Sequence, residues 1–169
     1  MGRRLIAVAA FAVMAATLLP TQAAGPTGVA CVISGTANLS PAITTKGQAA
    51  SYTFTGNLTN CKSTDKSIKT GTVSASGAGK LSCVNGSSNG SGTVQWNNGQ
   101  SSTITFNTKD AASAVVVQGK VVSGEFAGTK TTQGIAGLLN FITTQAAACT
   151  KAGLTTLNFK GAVGAGSAN

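Results

Sequence analysis

Tyr52, Phe54 and Leu58 alternate with Thr53, Thr55 and Asn57. That period of two marks a strand with one buried face, because successive side chains of an extended chain point to opposite sides. The same texture recurs along the chain. Runs rich in Val, Thr and Ser are separated by Gly, Asn, Ser and Lys, with 22 Gly and only 3 Pro in 169 residues. β-Branched side chains suit a pleated surface, and Gly and Asn suit the turns between strands. Strands are expected at 29–39, 50–60, 68–75, 80–84, 92–96, 101–106, 114–123, 135–143 and 154–163, eight or nine in all. Turns are expected at 41–47, 62–66 and 85–91, with a bulge at Gly77 and Gly79. The run 114–123, the most apolar, is expected at the centre of a sheet. Residues 135–143 also carry helical spacing (Ile135, Leu138, Leu139, Ile142), but Gly134 and Gly137 weaken a helix there, and 145–149 could form a short helical turn. The expected fold is all-β, an antiparallel β-sandwich with a closed β-barrel as the alternative.

The best local signal is a hairpin around Asn97-Asn98-Gly99. A two-residue Asn98-Gly99 turn is the reflex reading. It would set Trp96 opposite Ser101 and send Ile104 and Phe106 away from Val94 and Trp96. A three-residue loop, 97–99, instead pairs Trp96 with Gln100 and Val94 with Ser102. It gathers Val94, Trp96, Ile104 and Phe106 on one face and puts Gly99 at the left-handed position such loops require. Burying large apolar side chains stabilises by about 1.5–3 kcal/mol each, which outweighs the turn preference.

Cys31, Cys61, Cys83 and Cys149 form an even set, read in an exported chain as two disulfides. Three pairings are open. The favoured one is Cys31–Cys61, closing the open end of a hairpin, with Cys83–Cys149 tying the last strand region to the middle of the chain. There is no C-x-x-C spacing and no His, so neither a zinc site nor a redox dithiol is expected.

Residues 1–24 read as a secretory signal peptide. Arg3 and Arg4 supply its positive start, the run from Leu5 to Leu19 is apolar but too short to span a membrane, and Thr21, Ala23 and Ala24 are small. Cleavage is expected after Ala23 or Ala24. Residues 25–169 then form one β domain with short flexible termini, secreted and extracellular, with cell-surface association open and no transmembrane anchor. Gly28-Val29-Ala30-Cys31 faintly resembles a lipobox, but Gly28 stands where a branched apolar residue is usual.

Thr93-Val94-Gln95-Trp96-Asn97-Asn98-Gly99, then Ser101-Ser102-Thr103, then Gly119-Lys120-Val121-Val122-Ser123-Gly124-Glu125-Phe126-Ala127-Gly128 resembles small exported all-β proteins of unknown function common in actinobacteria. The resemblance implies export and an all-β fold. It carries over no catalytic residue.

Reactive side chains are scarce. There is no His to serve as a base, and the only acids are Asp65, Asp110 and Glu125. Asp110 and Glu125 flank the strand at 114–123, too far apart for a glycosidase pair unless the chain folds back at Gly119. Asp65 sits among Lys62, Lys66 and Lys69, and all three acids read as solvated loop charges. No motif marks a Ser–Lys dyad, and Gly86, Gly90 and Gly92 lack the context of a phosphate loop. No enzyme activity, cofactor or metal is expected. Beyond Arg3 and Arg4 the basic residues are all Lys, scattered from Lys46 to Lys160. That pattern reads as solubility and strand-edge protection, with no nucleic acid as partner. Tyr52 and Trp96 are possible binding aromatics, able to stack on a sugar, although both fall on the face assigned to the core.

These observations leave a secreted, non-enzymatic β-scaffold that acts by binding or assembly at or near the cell envelope. Its partner would be an envelope component or an extracellular protein. Two alternatives stand beside it. A carrier of a small apolar ligand requires an apolar interior void of a few hundred Å³. An inhibitor of extracellular proteases requires a rigid exposed loop near Cys61 or Cys83.

Overall fold

The alternation first seen around Tyr52 runs through nearly every strand. The computed structural model of the chain describes residues 28–111, 114–127, 134–141, 149 and 153–166. Among them the strands are β1 (Gly28–Ile43), β2 (Gln48–Ser63), β3 (Gly71–Leu81), β4 (Asn85–Trp96), β5 (Ser101–Ala111), β6 (Ala114–Gly124), β7 (Gly134–Phe141) and β8 (Leu154–Gly166). Each pairs antiparallel with the next, and β8 returns to pair with β1. The result is one sheet curled into a closed up-and-down barrel.

The barrel replaces the expected sandwich, and the interior shows why. Inward-facing aromatic rings lie opposite small residues on the neighbouring strands. Tyr52 is paired with Gly77, Phe106 with Gly90 and Gly119, Trp96 with Gly71, Phe159 with Gly35, and Phe54 with Ala37 and Ala75. A ring laid over a glycine fills the space a second side chain would take, so the sheet can coil tightly enough to close. Closure leaves no free edge. Among the described residues the lysines therefore decorate the outer face and the loops rather than protecting edges, and the 114–123 run is no more central than any other strand.

This packing makes a prediction. A Cβ on Gly77 would meet the Tyr52 Oη at 2.5 Å and the Asn89 backbone oxygen at 2.7 Å. Gly77→Ala should destabilise the barrel by about 1–3 kcal/mol in urea unfolding, as overpacked cores do. An unchanged midpoint would show that the ring and both backbones shift freely.

Two bulges adjust which side chains face inward. In β2, Asn60 and Cys61 both lie opposite Cys31, where the β1–β2 register shifts, and Asn60 adopts φ 51°. Asn tolerates this left-handed conformation. The extra residue reverses the alternation, so Leu58 and Cys61 are both buried and Cys61 meets Cys31. The shift between Thr103 and Ile104 does the same for β6, burying Val121 and leaving Val122 45% exposed.

Other expectations were corrected. The break at Gly77–Gly79 does not exist, because β3 runs straight through to Leu81. Residues 85–91, expected as a turn, open β4, and β1 continues past Pro41 to Ile43. Ile68 lies in the β2–β3 connection, not in a strand. β7 is a strand, as favoured for 135–143. The short helical turn at 145–149 and the signal peptide of 1–24 lie outside the described residues, apart from the buried Cys149.

Both disulfides pair as favoured, Cys31 with Cys61 and Cys83 with Cys149. The Cys31 thiol is therefore not available for a lipid, against the lipobox option. Among the described residues the outer face is largely polar, with Val116 and Val122 on β6 as exceptions. Thr53, Ser76, Ser91 and Thr105 pair in one outward row across β2–β5. Apolar side chains inside and hydroxyls outside is the reverse of a lipid-facing barrel. No helix among the described residues is long and apolar enough to cross a membrane.

Candidate ligand-binding cavity

One end of the barrel is sealed by side chains that the hairpin loop positions. Trp96 N–H donates to the Gln100 carbonyl at 2.9 Å, and Gly99 takes φ 85°. This is the three-residue loop expected from Val94, Trp96, Ile104 and Phe106 sharing one face. Trp96 packs edge-on against Phe126, with ring centroids 5.5 Å apart. Its Nε1–H donates to Ser102 Oγ at 2.8 Å, and Ser102 Oγ–H donates to the Glu125 carbonyl at 2.7 Å. Ile68 completes the seal at 0% exposure. It is held there by Asn97, whose Oδ1 accepts from the Lys69 and Thr70 N–H groups at 2.7 and 2.9 Å.

Beyond this seal lies a cavity of about 160 Å³. Its walls are mostly apolar, including Leu39, Phe54, Val73, Val115, Val117, Leu157 and Phe159. An eight-stranded barrel is just wide enough to be filled by its own side chains. Here the inward glycines of β3, β4 and β6 are covered by neighbouring side chains, and the cavity lies inside that layer of rings and aliphatic side chains.

One part of the lining is polar. Tyr52 Oη and Ser88 Oγ are hydrogen-bonded at 2.9 Å, and Ser88 Oγ and Thr108 Oγ1 at 2.7 Å. Asp110, two residues beyond Thr108 on β5, faces the same interior. Its carboxylate occupies the space over Gly86, where a Cβ would come within 2.6 Å of Oδ2. Among the described residues no Lys and no hydrogen-bond donor partners this carboxylate, and it is the only charged group in the cavity lining. Burial pushes its pKa up to about 6. Burial also raises Tyr52, opposed by its hydrogen bond with Ser88 and reinforced by the charge of Asp110.

A second prediction follows from Asp110. The folded protein holds a proton there that the unfolded chain releases at about pH 4. The stability this proton confers is complete below about pH 4 and is lost as pH rises through about 6. Solvent reaches the half-buried carboxylate and screens it, so the expected loss is about 1–2 kcal/mol. Asp110→Asn should therefore be more stable than wild type at pH 8 by about 1 kcal/mol, with the difference vanishing near pH 4. Urea midpoints at the two pH values check this, and parallel curves would contradict it.

The structure separates the three acids. Asp110 faces the interior near the barrel end that carries Cys83–Cys149. Glu125 lies in the turn after β6, at the opposite end, and β6 does not fold back at Gly119. Asp65 caps the β2–β3 connection, accepting from Ser67 N–H at 2.8 Å and Ser67 Oγ–H at 2.7 Å. These Ser67 bonds lower its pKa. The residues proposed as binding aromatics both face inward. Trp96 belongs to the seal, and Tyr52 carries the polar network. Of the two loops proposed for protease inhibition, 64–70 buries Ile68 and leaves Thr64, Lys66, Ser67, Lys69 and Thr70 exposed. Residues 82–84 are drawn into a tight turn, with the Val84 and Asn85 N–H groups donating to Ser82 Oγ.

Ser88, Thr108 and Asp110 were missed as site residues. Extending the Ile104–Phe106 alternation by two steps reaches Thr108 and Asp110, so the signal was present. It was hidden by ending the strand at Phe106 and by reading Ser88 as part of a turn. No protein-family model, curated protein or solved structure matches this chain.

Proposed function

We propose that this chain is an exported, non-enzymatic barrel that binds a small, largely apolar molecule inside it. The observation that carries this reading is the mostly apolar interior cavity of about 160 Å³, with most of its polar side chains toward the Asp110 end. Apolar walls with a few convergent polar groups are the usual composition of a small-molecule site. The volume falls short of the few hundred Å³ expected above of a small-ligand carrier. It is close to the roughly 150 Å³ that accommodates benzene in an apolar protein interior, so the ligand is about one ring or six carbons in size. Export is supported by the leader-like residues 1–24 and by two disulfides, which persist in oxidising compartments.

Titration with toluene tests the reading. Methyl resonances of Val115, Val117 and Leu157 should shift, and Trp96 emission should change, while the outward Val116 and Val122 stay fixed. No shift of the interior methyls at saturating toluene would overturn it. The mass of protein recovered from the medium should correspond to cleavage after Ala23 or Ala24, and an uncleaved mass would count against export by this leader.

A further inference from the structure

The polar patch narrows the class of ligand, given that the barrel binds one. We infer that the ligand carries an ammonium head, seated against Asp110 with the Ser88–Thr108 hydroxyls beside it, on an apolar body that lies over the aliphatic and aromatic walls. Three features of the cavity lead there. The first is charge. Asp110 is the only ionisable acid in the lining, and no cation accompanies it among the described residues. A half-buried carboxylate without a partner is unfavourable, and an ion of opposite sign is what offsets it. A ligand carboxylate or phosphate would meet repulsion at the same place.

The second feature is hydrogen-bonding capacity. Tyr52, Ser88 and Thr108 form a chain of hydroxyls in which each link uses one proton, so acceptor lone pairs are left over along it. An ammonium brings three donors and no acceptor. It can donate to the carboxylate and to these hydroxyl oxygens together, and charge-assisted bonds of that kind are the stronger class. A neutral alcohol brings a single donor and satisfies less of the patch.

The third feature is placement. Asp110 sits on an inward position that a side chain on Gly86 would obstruct, since a Cβ there would come within 2.6 Å of the carboxylate. The glycine thus keeps the carboxylate at the cavity wall. Apart from Ser82 in the β3–β4 connection and Ser102, which bonds Trp96 at the sealed end, the polar lining groups are Tyr52, Ser88, Thr108 and Asp110 on β2, β4 and β5, whereas the lining contributed by β1 and β8 is apolar. A molecule with one cationic end and one apolar end matches that division.

Benzylamine, benzyl alcohol and benzoate share a body that fits the cavity and differ in the head, so they make the test. Affinities are measured at pH 7.5 by titration calorimetry, with interior methyl shifts locating the site, on wild type and on Asp110→Asn. Benzylamine is expected to bind about tenfold or more tightly than benzyl alcohol, with benzoate weakest. In Asp110→Asn the amine and the alcohol should come within about twofold of each other. If the alcohol binds inside and the amine binds no more tightly, the ammonium inference falls while the carrier reading stands. If the amine preference persists in Asp110→Asn, Asp110 is not the seat and the inference falls. If none of the three moves an interior methyl, the carrier reading falls and takes the inference with it. Should Asp110→Asn not fold, the wild-type ranking alone decides, and Thr108→Val, which removes a hydroxyl but not the charge, should weaken the amine while leaving it ahead of the alcohol.

Discussion

Cys83→Ala combined with Cys149→Ala is expected to lower the unfolding free energy by about 4 kcal/mol, a large share of what holds a domain of this size together. In the chain-entropy model the effect grows with the loop closed. The sequence separation of 66 gives about 4.3 kcal/mol. The separation of 30 for Cys31–Cys61 gives about 3.6 kcal/mol. Position adds to length. Cys31–Cys61 links strands that the β1–β2 ladder already holds in register. Cys83–Cys149 joins the β3–β4 connection to the segment leading into β8, the strand that must find β1 to close the barrel. That seam joins the two ends of the chain, so its closure carries a large loop entropy that a preformed link reduces. Removing this disulfide should therefore lower the urea midpoint more than removing Cys31–Cys61, and it should raise amide exchange in β8 before β3. A loss below about 1 kcal/mol would mean that strand pairing alone confines the chain, against the chain-entropy account.

How much of this was visible in the sequence depended on how far each residue's neighbours are from it along the chain. The 97–99 loop was legible because turn and strands lie together, and the burial of Trp96 and Ile104 on a common face selects one register. The disulfide partners were legible because a hairpin and a final strand leave few geometric options. Closure was not legible, since it depends on which residue lies opposite each ring across a strand pair. Gly90 and Gly119 flank Phe106 from two different strands, and nothing local in the sequence connects them. The same gap hid the polar patch. Tyr52 and Ser88 are 36 residues apart and meet only after β3 has paired with both β2 and β4. Ser88 also stands in a Gly-, Ser- and Asn-rich stretch that has turn composition. In this barrel that composition serves a strand, because inward glycines admit the neighbouring rings and outward Ser and Asn face water.

Trp96→Ala is expected to be the most damaging single substitution at the sealed end, costing about 3–5 kcal/mol, as truncating a buried aromatic does. Three contacts are lost at once: the edge-on packing on Phe126, the bond from Nε1–H to Ser102, and the cover over Gly71. Ser102 is 1% exposed, so its oxygen loses a donor that water does not readily replace. Trp96→Phe separates these contributions. It keeps a ring against Phe126 and removes only the N–H, so its cost should be about 1–2 kcal/mol. The two variants also report on the cavity, because Trp96 and Phe126 both belong to its lining. If the seal confines a ligand, Trp96→Ala should speed dissociation of benzylamine by about tenfold or more while Trp96→Phe leaves the rate nearly unchanged. Off-rates read from exchange broadening of the ligand resonances check this. Equal rates in the two variants would place the exit at the other end of the barrel, beside Asp110 and the Cys83–Cys149 link, where the disulfide rather than the indole would set how fast the ligand leaves.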